Sequence, residues 1–154
     1  MPDHSDDLIL LAREATLVDV FFVHLEALRF DQPTSDAPAP PSFQLKVAVS
    51  DDLVQTDQGG EVRPCRFHLR VVAETSSGVI TAEPVAEYAF PADFAGLSEQ
   101  PIITDFANEV AVMALLPYAR EALQDLSMKV LRESLVMPSF PRGAITFPVP
   151  GLES

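Results

Sequence analysis

The side chains that most often carry enzymatic or metal chemistry are few in this chain, and their spacing keeps them apart. The histidines have neither the HExxH spacing nor the helical pairing of a metal centre; they are His4, His24 and His68. Cys65 alternates with polar neighbours along a predicted strand, where a buried, inert thiol is far more common than a nucleophile. Gly59-Gly60 lacks the further glycines of a phosphate-binding loop. The sequence therefore predicts neither an enzyme nor a metal site.

Length and composition indicate one soluble globular domain, residues 1–154. Apolar residues make up 47% of the 154 residues and charged residues 21%, which is ordinary for a folded protein. The net charge of −13 makes nucleic acid and anionic membrane surfaces poor partners. A single cysteine excludes an intrachain disulfide framework and suits a reducing compartment, so we expect the cytoplasm. No stretch approaches the roughly 20 apolar residues that cross a bilayer, and the acidic start is unlike an export signal.

Hydrophobic periodicity predicts the elements that such a domain would contain. We expect a short helix at residues 5–16, strands at 17–30, 43–49, 65–74 and 80–90, and helices at 103–114 and 119–130, the last begun by Pro117. Proline-rich stretches at 31–42 and 137–154 predict a crossover connection and a C-terminal coil. The order predicts an α+β fold: a four-stranded antiparallel sheet with two C-terminal helices on one face and a short N-terminal helix.

The last two predicted strands flank Ser77-Gly78, which predicts a hairpin with a tight turn. We expect a register in which Phe67 faces Tyr88 on the inner face and His68 faces Glu87 on the outer face. A basic stripe then lies beside an acidic stripe, which favours a solvated, charge-paired sheet face over a ligand site. The stripes are Arg66, His68 and Arg70, and Glu83 and Glu87.

The chain carries more large apolar side chains than one thin layer of sheet and helix can obviously hide. They include Phe21, Phe22, Phe30, Phe43, Met137, Phe140, Phe147 and Val149. Exposed apolar surface usually indicates a partner. The alternative, that all of these side chains fill the core, stays open on composition alone.

Three short stretches resemble one known family. Leu116-Pro117-Tyr118-Ala119-Arg120-Glu121 resembles the most recognisable motif of the SecB protein-export chaperones. Phe140-Pro141 with Pro148-Val149 resembles their closing proline-rich segment, and Phe30-Asp31-Gln32-Pro33 resembles the end of their first strand. The likeness runs in order from about Val18 to Val149, and the predicted element order agrees with it.

The resemblance implies a cytosolic, ATP-independent holdase for unfolded or precursor polypeptides in protein export. It implies a homotetramer built as a dimer of dimers, in which the first strands pair across one interface and the helices at 102–115 across another. No cofactor would be needed. Clients would lie in grooves lined by the crossover, the second strand and the second helix, which nominates Phe43, Leu45, Val47, Met137, Phe140 and Phe147 as client-binding residues.

Departures from the family pattern leave the partner open. The family meets the SecA motor through acidic residues on the open sheet face, whereas this chain has Ala27 and Arg29 in the first strand and a Ser76-Ser77-Gly78 turn. We therefore expect weak or absent SecA binding. The helix before the first strand resembles SecB-like proteins that protect the antitoxin of a toxin-antitoxin system. A dedicated antitoxin chaperone and a non-chaperone adaptor of the same fold are the alternatives to a general export chaperone.

Overall fold

The computed structural model describes residues 5–34, 40–51, 54–55, 61–90 and 102–140 of the protein. In chain order the elements are α1 (Ser5–Glu14), β1 (Thr16–Arg29), β2 (Ser42–Asp51), β3 (Val54–Gln55), β4 (Glu61–Glu74), β5 (Gly78–Phe90) and α2 (Ile102–Leu131). The predicted α+β class, the short N-terminal helix and the four long antiparallel strands are confirmed. The two-residue strand β3, which the sequence reading did not anticipate, pairs with β4.

The sheet has the strand order β1-β5-β4-β2, so β5 and β4 are central and β1 and β2 lie at the edges. Alternation along β4 buries Phe67, Leu69 and Val71 beneath α2 and turns the intervening residues to the opposite, outer face. Cys65 belongs to the buried set, as its spacing predicts. Strand β5 is buried on both faces, since Ile80 and the outer-face Val85 are each 0% exposed.

The β4–β5 hairpin differs from its predicted register by two residues. The Thr75 amide donates to the Gly78 carbonyl at 2.9 Å, which makes Ser76-Ser77 the turn. The Thr75 hydroxyl also accepts from the Ser77 amide at 3.1 Å and so stabilises this turn. Phe67 therefore faces Ala86 and not Tyr88, and Arg66 rather than His68 faces Glu87; both predicted pairings are wrong. A shift of two residues leaves each side chain on its predicted face.

Gly78 is the first residue of β5 and lies outside the two-residue turn, at a position where three elements meet. A Cβ atom at this position would overlap the main-chain carbonyl oxygen of Leu28 in β1 and the side chain of Leu131 at the end of α2. The glycine therefore permits a close approach of three elements. Its role is in packing, whereas the sequence reading assigned it to turn geometry.

A single continuous helix replaces the two C-terminal helices that the sequence predicts. Pro117 does not begin a second helix; it lies on the exposed side within α2. A proline inside a helix removes one main-chain hydrogen bond, but the apolar stripe of α2 continues past it and packs on the sheet. Phe106, Leu115 and Leu123 on this stripe are each 0% exposed. Packing along the whole stripe therefore outweighs the local helix-breaking signal.

By length and composition alone, α2 could cross a membrane, which differs from the sequence expectation. Its fully buried apolar side chains belong to the core cluster that it forms with the sheet. Phe106 shows this packing most clearly, with ring centroids 5.3 Å from Phe67, 5.1 Å from Tyr88 and 5.3 Å from Phe90. Burial raises the pKa of the Tyr88 hydroxyl above its ordinary value of 10.0.

Candidate functional site

Strand β2 carries the first half of the candidate site. Its helix-side residues are Phe43, Leu45, Val47 and Val49, and they alternate with exposed Gln44, Lys46, Ala48 and Ser50. Val47 is buried, whereas Phe43 and Leu45 are half-buried and pack against the core cluster. Because β2 is an edge strand that pairs with β4 in the described part of the sheet, these half-buried side chains lie at the border of the core.

The second half is an extended stretch that follows α2, residues 132–140, which we call the return segment. Arg132 ends the helix in the left-handed region, with φ 58° and ψ 34°. The amides of Arg132 and Glu133 both donate to the Ser127 carbonyl, and the chain then turns back along the helix. Leu135 and Met137 point into the core at 3% and 1% exposure, whereas Val136 between them is 61% exposed.

A cleft of about 340 Å³ lies where β2 and the return segment meet. Its walls are Pro41 just before β2, Thr75 and Ser76 at the hairpin turn, and residues 133–136. The Ser77 hydroxyl donates to the Glu133 carboxylate at 3.5 Å, so the turn of the β4–β5 hairpin contacts the return segment directly. The start of β2, the hairpin turn and the start of the return segment therefore form one corner of the molecule.

The structure divides the nominated client-binding residues into three groups. Val47 and Met137 are buried, so they support the surface from below. Phe43, Leu45 and Phe140 are half-buried and remain partly accessible. Phe147 lies outside the described residues. We give the name β2 strip to four of the partly accessible apolar side chains of this border: Phe43 and Leu45 of β2, and Val136 and Phe140 of the return segment.

Val136 was not among the nominated residues, although a signal for it exists. Leu135, Val136 and Met137 would alternate inward and outward in an extended chain, which places Val136 opposite to its two neighbours. The sequence analysis began the C-terminal coil at Met137 and assigned Leu135 and Val136 to no element, so it predicted no side-chain direction there. The alternation of burial across residues 135–137 shows that the stretch is extended.

The outer face of the sheet is charge-paired, as the two stripes predict. The Nε atom of Arg66 lies 3.1 Å from the Glu87 carboxylate. The Glu83 carboxylate contacts both Nδ1 of His68, at 3.2 Å, and Nη1 of Arg70, at 3.3 Å. Arg70 also lies 3.2 Å from Nδ1 of His24; a guanidinium can only donate, so this ring nitrogen accepts. Within the described residues, no group of three or more His, Cys, Asp or Glu could hold a metal ion.

Strand β1 exposes a second apolar surface at the opposite edge of the sheet. It is a 14-residue edge strand that pairs with β5 in the described sheet, with two register irregularities. Five of its large apolar side chains are 47% to 58% exposed: Leu17, Val18, Val23, Leu25 and Leu28. A long edge strand of this kind is a surface on which another chain can pair.

Comparison with known proteins finds similarity in structure only. No family model matches the chain, and no curated protein matches it by sequence. The Mycobacterium tuberculosis Rv1957 SecB-like chaperone, solved with a ChAD peptide from the Rv1956 HigA1 antitoxin, is similar with a TM-score of 0.57 and 15% identity over 85% of this chain and 94% of that chain. A Streptococcus agalactiae protein of unknown function is similar with a TM-score of 0.53 and 14% identity over 82% and 98% of the two chains. The chain therefore has a SecB-like fold, as the sequence resemblance implies.

Proposed function

We propose that this protein is an ATP-independent chaperone that holds extended, unfolded polypeptide segments on the β2 strip, in the cytoplasm. The observation that carries the proposal is the β2 strip itself: Phe43, Leu45, Val136 and Phe140 remain partly accessible on two extended segments of a SecB-like fold, and Val136 also lines the cleft. The structural neighbour Rv1957 supports this use of the fold, because it is a chaperone solved with a bound peptide.

The energetics of such binding favour clients with long apolar stretches. Each Å² of apolar surface that a client buries contributes about 25 cal/mol, but ordering an unfolded chain takes back much of that gain. Repeated contact along several strips in one assembly would recover affinity through high local concentration. The net charge of −13 favours clients with basic flanks and keeps loaded complexes apart in solution.

We propose a homotetramer, a dimer of dimers, as the assembly that supplies these repeated strips. The exposed apolar side chains of β1 support pairing of two first strands, and the half-buried Val110 and Met113 on α2 support a second interface between helices. Light scattering coupled to size exclusion measures the state. Val23→Lys with Leu25→Lys should halve the assembly, whereas Ala48→Lys on the other edge strand should leave it unchanged. A wild-type monomer at micromolar concentration would contradict the assembly.

The activity is tested by suppression of aggregation of a denatured model protein without ATP. We expect suppression at about one tetramer per client. Changing Phe43, Leu45 and Phe140 together to Ser should abolish it and leave the fold intact, since none of the three is fully buried. The matched control changes three exposed apolar residues elsewhere to Ser: Ile9, Leu10 and Met128. Full suppression by the strip variant would place the client site elsewhere, and no suppression by the wild type would reject the chaperone function.

A dedicated antitoxin chaperone is the second candidate, and the peptide in the Rv1957 structure is the observation that favours it. Such a protein would bind one client segment far more tightly than others. A general holdase for export would bind several unrelated unfolded proteins with similar affinity. Titration against a set of unfolded proteins, together with any antitoxin encoded beside the gene, separates the two; tight binding of a single folded partner alone would instead indicate an adaptor.

We propose that the SecA motor is a weak partner at most. Arg66 and Arg70 pair with Glu87 and Glu83 on the outer face, so the described part of that face carries both signs of charge. Ala27, which the sequence analysis placed on that face, packs against the core cluster instead. Calorimetry should show weak, salt-sensitive binding or none. Submicromolar affinity that persists at moderate salt would contradict this expectation.

A further inference from the structure

Arg120 on α2 connects the helix to the return segment through main-chain carbonyls. Its Nε donates to the Met137 carbonyl at 3.3 Å, and its Nη2 donates to the Pro138 carbonyl at 3.4 Å. Two donors on one edge of a planar guanidinium can reach two successive carbonyl oxygens, a geometry that a lysine ammonium cannot reproduce. Arg120 belongs to the stretch that carries the family resemblance, and the sequence analysis assigned it no role.

Ser127 holds the other end of the same segment. Its hydroxyl accepts from the Leu135 amide at 3.1 Å and donates to the Gln124 carbonyl at 2.8 Å, and the residue is 0% exposed. The return segment is therefore hydrogen-bonded to α2 at two points about two helical turns apart. Pro138 has no amide hydrogen, so its carbonyl is the main-chain group through which it can be hydrogen-bonded.

The two attachments lie on either side of Val136. Between them Leu135 and Met137 enter the core, and Val136 is directed outward. Phe140 follows two residues after the Pro138 carbonyl. Without the Arg120 contacts, the segment beyond Leu135 would lose two hydrogen bonds to α2, and a client would have to order more of it on binding.

We propose that Arg120 is a positioning residue for client binding: it holds the return segment extended along α2 so that Val136 and Phe140 present a preformed border of the β2 strip. The inference rests on the proposed function. It assigns to Arg120 a part in binding that acts through the segment, without contact between its guanidinium and the client.

The test uses the full-length protein and three variants. Arg120→Met removes the donors and keeps most of the apolar stem, whereas Arg120→Lys keeps the charge and removes the two-pronged geometry. Lys129→Met is the matched control, because Lys129 is 69% exposed on the same helix and pairs with Asp125 one turn away. Amide hydrogen exchange of residues 134–140 is measured first. Affinity is then measured for a fluorescein-labelled peptide of alternating Leu and Ser with Lys at each end.

We expect both Arg120 variants to exchange faster across residues 134–140 and to bind the peptide about tenfold more weakly, a change of about 1.4 kcal/mol. Exchange in β4 and β5 should stay at the wild-type level, which a general loss of stability would not allow. Lys129→Met should change neither measurement. If Arg120→Met unfolds, Arg120→Lys decides the question by the same two readouts.

Either of two results would overturn the proposal: unchanged exchange in residues 134–140, or faster exchange with unchanged affinity for the peptide. Failure of the proposed function is a distinct result. In that case the wild-type protein does not bind the peptide, which rejects both the proposed function and the binding role of Arg120. The exchange data still report separately whether Arg120 holds the segment.

Discussion

Replacing Ser127 with Ala should destabilise the protein through one buried amide. The substitution removes the hydroxyl that accepts from the Leu135 amide at 3.1 Å. Leu135 is 3% exposed, so its amide would lose its partner without gaining water. An unpaired buried donor costs about 1 to 3 kcal/mol. The Gln124 carbonyl, which also loses the hydroxyl, keeps the Ser127 main-chain amide as a donor, so little is added on that side.

We therefore expect Ser127→Ala to lose about 2 kcal/mol of unfolding free energy. In a chain of 154 residues this corresponds to a fall of about 4 to 8 °C in the melting temperature. Urea unfolding followed by circular dichroism measures the loss, at one fixed protomer concentration because association shifts apparent stability. Hydrogen exchange at the Leu135 amide provides a local readout of the same bond.

The matched control is Ser134→Ala, the same chemical change at an exposed position of the return segment. It should alter stability by no more than about 0.5 kcal/mol. The reasoning is refuted if Ser127→Ala matches this control in stability while the Leu135 amide stays protected. That combination would mean that another group holds the start of the return segment.

Three further substitutions test the packing of the core, each by urea unfolding against wild type. Gly78→Ala should cost about 2 to 3 kcal/mol, because its Cβ would overlap the Leu28 carbonyl; a neutral effect would mean that β1 can move away. Phe106→Ala should cost about 4 kcal/mol, since three aromatic rings pack around it, and a loss below about 2 would contradict that packing. Burial raises the pKa of Tyr88, so the folded state keeps a proton that the unfolded state releases, and stability should fall as the pH rises above about 10. Tyr88→Phe should flatten that fall, with the exposed Tyr118→Phe as its control; an unchanged slope would contradict the assignment.

The faces of the sheet could be predicted from the sequence, whereas its pairing could not. Side-chain direction follows a two-residue period, so alternation alone places Phe67 inside and Arg66 outside. Pairing depends on which residues close the turn. Here the Thr75 hydroxyl stabilises Ser76-Ser77, and a residue without a Cβ atom is needed at the crowded first position of β5. The second of these causes involves β1 and the far end of α2, which no local pattern reveals.

The helix boundary predicted at Pro117 is wrong, because packing on the sheet outweighs a local signal. Pro117 is a strong local signal for a boundary, and the sequence reading divided the helix there. The apolar stripe from Phe106 to Leu123 crosses the proline without losing its phase, and both residues are completely buried. A long stripe packed on a sheet contributes several kilocalories per mole, more than the single hydrogen bond that proline removes. Where phase continues across a proline, periodicity is the better guide.

The candidate site could be predicted only as a set of residues, because its division into floor and surface depends on tertiary contact. Spacing places Val47 and Leu45 on the same side of β2 and says nothing of what covers each one. The return segment makes that difference. It inserts Met137 into the core, and it directs Val136 away from the core. Two hydrogen-bonded attachments to α2, at Ser127 and Arg120, set which side chains of that segment point outward. The presentation of Val136 and Phe140 therefore depends on polar contacts with the helix as well as on packing, and variants at these polar positions should weaken client binding, though less than the triple variant of the apolar residues.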